Sequence, residues 1–474
     1  MGNQWVARRS RGAGHASALA CLTLILWGRV AAAEPPCQGP LDATQVARCA
    51  LSHSPEVAAG RLRMQALAQQ RSSAGRWLPS HPLLSFSLAE RRPPMSTTGE
   101  VGAAALNGYF TLSQEFEIAG QRGRRLAMLD AEAAAELRRL AALEQETVAS
   151  ALSAYVEVLS MREELALAEQ AAEVAAALSR FSSARAAQEL LPQVESDLAR
   201  AEAARLSLLR AEVALRGRNA GALLSALLQS PQGLAAGGAE LSPPAQAQGP
   251  LDAVLPLLTT DGAAGESEAE RAGTGLVAQA LKLRADVAVA QAEVRVREAQ
   301  WALLRRARIP NLSLSFTAQS DGFSERVLGG GLSIPLPLPE PLGPSRGGEI
   351  AAAATAISEA QVLVGKRERE VGLEVRRAHH AVLAAERSLA EVPADLINRA
   401  KTDLWAIAEA IRSGRVALRE ALLWQRGLLE LLQLHLRARR ELALSRIELR
   451  RAVGLPILPG GSAAPTSAAP GEPR

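Results

Sequence analysis

Aromatic residues are scarce in this 474-residue chain: six tryptophans, two tyrosines and six phenylalanines make up 3% of it. Large compact cores lean on aromatics, so the scarcity argues for long packed helices built from alanine, leucine, arginine and glutamate. Histidine is also rare, at six, and no two stand at the i, i+4 spacing of a helical metal site. His379 and His380 are adjacent and point about 100° apart on a helix, as solvated side chains do. No catalytic residue, cofactor site or metal site emerges from this inventory. Beyond the N-terminus no window holds eighteen consecutive apolar residues, so no transmembrane helix is expected.

The N-terminus is a different matter. Arg8, Arg9 and Arg11 precede an apolar run from Ala16 to Trp27, and Ala31-Ala32-Ala33 offers an A-x-A cleavage site. That is the layout of a secretory signal peptide over residues 1–33. A lipoprotein reading would use Cys21 instead, but would leave an apolar mature start. Cleavage after Ala33 removes Arg8, Arg9, Arg11 and Arg29 and no acid, so the formal +4 falls to zero. The basic pI therefore carries no message about nucleic acid, and no aromatic-basic cluster supports that partner. Cys37 and Cys49 remain; an oxidising compartment favours their pairing over two free thiols.

The chain repeats itself. "WLPSHPLLSFSLAE" (77–90) resembles "ARIPNLSLSFTAQS" (307–320), and "SARAAQELLPQV" (183–194) parallels "AIRSGRVALREA" (410–421). Both pairs keep the same order at offsets of 227 to 230 residues, which marks a tandem duplication. Each half reads helix, strand, strand, helix, helix. Helices are expected over about 55–78, 121–190 and 193–229, then 275–309, 349–413 and 417–453. The domain plan is a first repeat over 34–231, a linker over 232–273, a second repeat over 274–457 and a disordered tail over 458–474. Apolar spacing such as Val148, Leu152, Tyr155, Leu159 and Leu422, Leu429, Leu432, Leu436 suits a coiled-coil wall.

Strands are expected over 82–90, 108–118, 311–319 and 327–338, and all four alternate. Leu84, Phe86 and Leu88 oppose Ser85 and Ser87; Leu312, Leu314 and Phe316 oppose Ser313, Ser315 and Thr317. Nine to eleven residues is the length of a tilted membrane-barrel strand. Phe86, Phe110, Phe116, Phe316 and Phe323 lie in or beside these strands, as a lipid-interface girdle requires. Two soluble hairpins packed on helices would also alternate. Trp77 fits either an interfacial aromatic or a helix-junction core residue. Four strands cannot close a barrel in lipid, but three chains would supply twelve.

At the sequence level the chain resembles the outer membrane factors of the TolC type. The resemblance runs over about residues 40–457, and rests on "LSQEFEIAGQRGRR", "LSIPLPLP…RGGEIAAAATAISEA" and "AIRSGRVALREALLWQRGLLELL…LRRAVGLP". The first piece is most similar to the CzcC-like branch serving heavy-metal efflux. The resemblance implies a mainly α fold with a small β part: a trimeric twelve-stranded outer membrane barrel continuous with a periplasmic α-helical coiled-coil barrel. It implies a homotrimer in outer membrane lipid, a periplasmic adaptor (membrane fusion) protein and an inner membrane pump of the RND type. No enzyme activity and no cofactor are implied. Type I secretion or drug efflux is the alternative export role; a structural periplasmic coiled coil is the alternative of another class.

The resemblance also implies sites. Glu420 matches a pore-narrowing acidic position at the helical entrance, with Arg412, Arg415 and Arg419 near it, although Leu423 stands where a second acid is expected. The adaptor-docking tips would be Leu190 and Leu191 in the first half and Gly414, Val416 and Leu418 in the second. Glu115 and Glu117 either face the barrel lumen and favour cations, or pair with Arg122, Arg124 or Arg125.

Overall fold

The computed structural model describes residues 37, 41–91, 105–228, 251, 254–258, 266–320, 325–336, 346–413 and 416–458. The leader expected over residues 1–33, much of the expected linker, Phe323, Gly414, Arg415, the chain from 459 onward and the Arg412 side chain lie outside the described residues. The first half runs α1 (Ala43–His53), α2 (Pro55–Ala74), β1 (Leu83–Arg91), β2 (Ala105–Phe116), α3 (Gln121–Ala187) and α4 (Gln193–Leu227). The second runs α5 (Glu266–Leu283), α6 (Ala285–Ala307), β3 (Leu312–Ser320), β4 (Arg326–Ser333), α7 (Gly347–Ala390), α8 (Ala394–Arg412) and α9 (Leu418–Val453).

The expected helices and strands appear in the expected order, with three corrections. The helix expected over 349–413 is two, α7 and α8, interrupted at 391–393. Pro393 cannot donate a helical hydrogen bond and disfavours helical geometry at Val392 before it; it becomes the N-cap of α8 instead. The helix expected over 275–309 breaks at Arg284, which is extended at φ −66°, ψ 124°. Finally, β4 ends at Ser333 rather than Leu338, because Pro335 and Pro337 have no N–H for a ladder. Ile334 and Leu336 follow it, exposed.

By contrast, α3 is continuous over 67 residues, roughly 100 Å at 1.5 Å each. It starts at Gly120, whose left-handed φ of 73° lets the chain swing from strand direction to helix direction. Along its length α3 contacts α2, α6, α4, α8 and α9, while α7 contacts α5, α6 and α9. The buried hydrophobic residues are mostly leucine, valine and alanine, with a few isoleucines, in separate clusters strung along the helices, not one aromatic centre. Parts of the expected linker join this core: Leu251, Val254 and Leu258 are buried, and α5 already begins at Glu266.

The four strands form one antiparallel sheet in the order β1-β2-β3-β4, so the halves meet where β2 pairs with β3. Leu84 stands opposite Leu112, which stands opposite Phe316; Phe86 stands opposite Phe110. Since residues directly opposite share a face, the apolar positions of all four strands coincide. The outer edges of β1 and β4 are unpaired within the chain.

Candidate functional site: a two-faced sheet joined to a helical wall

One sheet face carries Leu84, Phe86, Leu88, Phe110, Leu112, Leu314, Phe316, Leu328 and Leu332, all more than a third exposed. Exposed apolar faces of this extent are not left to water. The opposite face presents Ser85, Ser87, Asn107, Tyr109, Thr111, Ser113, Ser315, Thr317 and Gln319. Near the end of the sheet distant from the helices these polar groups hold one another: Asn107 donates to the Tyr109 hydroxyl at 2.9 Å, and Gln319 donates to both. Small glycines on β4 permit close strand approach; a Cβ on Gly331 would come within 2.6 Å of the Ser315 hydroxyl. An apolar face backed by a hydroxyl-lined one is what a barrel in lipid requires.

At the helical end the two candidate glutamates separate. Glu115 lies on the polar face, opposite Ser313. It accepts from the Asn311 amide at 3.0 Å and the Ser80 hydroxyl at 3.4 Å, both neutral donors. Asn311 in turn is fixed by Gln121, a buried residue that also donates to the Ile309 carbonyl at 3.0 Å. Glu117 instead makes a two-pronged pair with Arg125, at 2.6 and 3.3 Å, and is 9% exposed. Glu117 is thus taken up by the junction itself. Arg122 donates to the Gly75 carbonyl and lies over the Trp77 ring at 4.6 Å; that ring is 80% exposed, which does not suit a core residue.

The far end of the wall is the α8–α9 hairpin beside the α3–α4 hairpin. Leu418 is 6% exposed, in a cluster with Leu178, Ile407, Ile411 and Leu422. It holds the hairpin together rather than presenting itself outward, a correction to its expected docking role. Val416 and Leu191 pack against the same cluster, whereas Leu190 is 67% exposed. Arg419 and Glu420 are exposed on the first turn of α9. Sequence reasoning missed a groove of about 530 Å³ between α8 and α9, lined by Asp403, Ile407, Val416, Leu423, Trp424 and Leu428. The signal was available: Leu423 and Trp424 interrupt the apolar spacing of α9 and lie more than half exposed.

Two further constructions fix the wall midway. Cys37 and Cys49 are joined as a disulfide, Cα atoms 6.0 Å apart, so the segment before α1 is stapled to that helix. Tyr155 of α3 donates to the Leu41 carbonyl at 3.2 Å, and burial pushes its phenol up to about 12. At the α5–α6 break the nearly buried Arg284 pairs with Asp286 at 2.5 Å and with Glu374 of α7, and donates to the Ala452 carbonyl at 3.3 Å. Arg367 supports the same two carboxylates. Burial pushes the Asp286 carboxyl up, but hydrogen bonds and charge from Arg284 and Arg367 outweigh it and hold the carboxyl low. Among the described residues no three His, Cys, Asp or Glu side chains gather as a metal site, and no helix is long and apolar enough to cross a membrane.

The sequence matches no protein-family model and no curated protein. The architecture does match solved structures. A membrane protein from Pseudomonas aeruginosa superposes with a TM-score of 0.67 at 18% identity, over 87% of this chain and 93% of that one. The CmeC outer membrane channel of Campylobacter jejuni gives 0.64 at 16% identity, over 87% and 85%. This is the fold of an outer membrane channel. The open-state MtrE outer membrane channel of Neisseria gonorrhoeae shares it too, at 0.63 and 16% identity, over 90% of this chain and 93% of that one. Against the channel fold the sheet is the barrel portion and α2–α9 are the helical wall. The free edges of β1 and β4 are then the places where the barrel continues into other strands.

Proposed function

We propose that this chain is the outer membrane duct of a tripartite efflux system, through which substrate leaves passively while an inner membrane pump supplies the drive. One observation carries the reading: a four-stranded sheet, apolar on one face and polar on the other, is open at both edges and continuous with a helical wall. Open edges in lipid leave unsatisfied backbone groups, so other chains must complete the ring. Three copies give twelve strands and a water-filled lumen, whereas two would give eight and fill it with side chains. The partner at the far end is a periplasmic adaptor, received by exposed Leu190 and by the groove holding Leu423 and Trp424. Three copies of Glu420 ring the entrance, with Arg412, Arg415 and Arg419 nearby. For the exported substrate we favour heavy-metal cations handed on by a pump of the RND type, supported by the lumen-facing carboxylate of Glu115. The leader over residues 1–33 directs the chain to the periplasm and the outer membrane.

Fractionation tests the duct directly. The protein should extract from outer membranes only with detergent, run as a trimer, and conduct ions in planar bilayers. A monomer soluble without detergent would refute the reading and favour a structural periplasmic coiled coil.

A further inference from the structure

Three of the four segments that join helices to the sheet, residues 74–81, 117–125 and 305–311, hold Arg76, Arg122, Arg124, Arg125, Arg305, Arg306 and Arg308 against a single acid, Glu117; the fourth, 334–346, has one residue of each sign, Glu340 and Arg346. In a chain whose formal charge is near balance, that is a strongly one-signed band at a single height. Arg125 is neutralised by Glu117. Arg305 stacks on Trp301 at 4.7 Å and Arg122 on Trp77 at 4.6 Å. Arg76, Arg124, Arg306 and Arg308 are exposed, with no ion pair to any described residue.

Internal stability accounts for Arg122 and Arg125, which donate to the Gly75 and Ala74 carbonyls at the end of α2, but not for the four exposed arginines. The first turn of α3 has no acid and no side-chain cap, so Arg122 and Arg124 sit at the positive end of the helix macrodipole, where a cation is disfavoured. Arg305 and Arg306 suit the end of α6, but Arg308 and Arg76 lie beyond the helices they follow. Height is set by the chain: Arg308 precedes β3 by only four residues, at most about 14 Å of extended chain. The band therefore borders the apolar face of the sheet. Direction is set by helical rotation. Residues 305 and 306 differ by about 100° around the axis, so the arginines cannot all face the lumen.

We propose that this arginine band is a docking surface for anionic phospholipid headgroups of the leaflet nearest the helices. The inference rests on the membrane reading above. Guanidinium groups bind phosphate oxygens in a two-pronged geometry, basic residues beside an apolar span are drawn to anionic lipid, and an exposed tryptophan under a guanidinium suits the same interfacial layer. The lipid phosphates supply the negative charge that the chain omits here, and fix how deep the sheet sits.

The test uses the full mature protein in detergent, incubated with phosphatidylglycerol or with phosphatidylcholine, and counts retained lipids by native mass spectrometry. The wild type should retain phosphatidylglycerol in preference. Combining Arg76→Gln, Arg124→Gln, Arg306→Gln and Arg308→Gln should cut that retention by about twofold or more, and lysine at the same positions should restore much of it. Undiminished retention by the glutamine variant, or no headgroup preference in the wild type, overturns the proposal. Salt dependence tests the same contact without any variant: thermal stabilisation of the wild type by phosphatidylglycerol should weaken at high salt, and salt-insensitive stabilisation overturns it. A wild type soluble without detergent is a separate outcome, which overturns the membrane reading and this inference together.

Discussion

Arg284→Met removes the tie that joins α6, α7 and α9 at the α5–α6 break. The Arg284 side chain is 6% exposed, and its guanidinium serves Asp286, Glu374 and the Ala452 carbonyl at once. Deleting one partner of a fully buried ion pair costs about 3–5 kcal/mol. Here Asp286 and Glu374 are 26% and 32% exposed, and both keep Arg367. Solvent screening and the surviving partner lower the expectation to about 2 kcal/mol. Methionine retains most of the buried volume, so the loss is electrostatic rather than a cavity. The assay is thermal unfolding in detergent at one fixed scan rate, since a large membrane assembly unfolds irreversibly. The midpoint should fall by several degrees, and protease should gain access near 283–286 before the rest of the wall. An unchanged midpoint and digestion pattern would show that Arg367 alone suffices and that Arg284 carries no structural weight.

Further outcomes follow from the same geometry. Because the folded Asp286 carboxyl is held below its ordinary range, its contribution is complete above the unfolded value of about 3.9 and is lost as pH falls through the folded value. Acid unfolding monitored below pH 4 should therefore be less steep in Asp286→Asn; an identical acid limb would refute the pairing. Gly454→Ala forces an L-residue into φ 83° and sets a Cβ 3.0 Å from the Arg284 backbone nitrogen, a loss of at least about 1–2 kcal/mol in the same melt. In bilayers Glu115→Gln should lower the cation-to-anion permeability ratio by roughly twofold at low salt, whereas Glu117→Gln leaves it unchanged; equal effects would return Glu117 to the lumen. Cys37→Ser opens a loop with a sequence separation of 12, worth up to about 3 kcal/mol of chain entropy, and should speed hydrogen exchange in α1 without altering conductance.

Much of this architecture was legible because its signals are local. Leu84 and Phe86 alternating with serines fix which strand face is apolar, and the same alternation at Leu312, Leu314 and Phe316 fixes it again in the second half. Register then follows, since a one-residue slip would turn every leucine to the wrong face. What stayed hidden depends on partners distant in sequence. Nothing near Arg284 resembles a helix breaker; its break is made by Gly454 and Glu374, each at least 90 residues away. Glu115 and Glu117 are equivalent in an alternating pattern. Only the turn at Gly120 brings Arg125 back to Glu117, and only the second half brings Asn311 to Glu115.

The tips show the limit of arguing from duplication. Equivalent segments in the two halves suggest equivalent hairpins, but the long helix of the first half runs unbroken to Ala187 and its counterpart stops at Ala390. One proline accounts for the difference. With Pro393 as its N-cap, α8 is a separate 19-residue helix, and it can be held in place only by what it packs against. Ile397, Ala400 and Leu404 meet Leu167, Ala171 and Leu429; Ile407 and Ile411 meet Val174, Leu178 and Leu418. Leu418 is buried for this reason: a helix deprived of backbone continuity needs apolar contacts at its far end. In the first half the equivalent position is Leu191, which is only partly buried against that cluster, and its neighbour Leu190 is left exposed. The fuller burial of Leu418 than of Leu191 thus follows from a single proline 25 positions before it, which positional equivalence between the halves does not reveal.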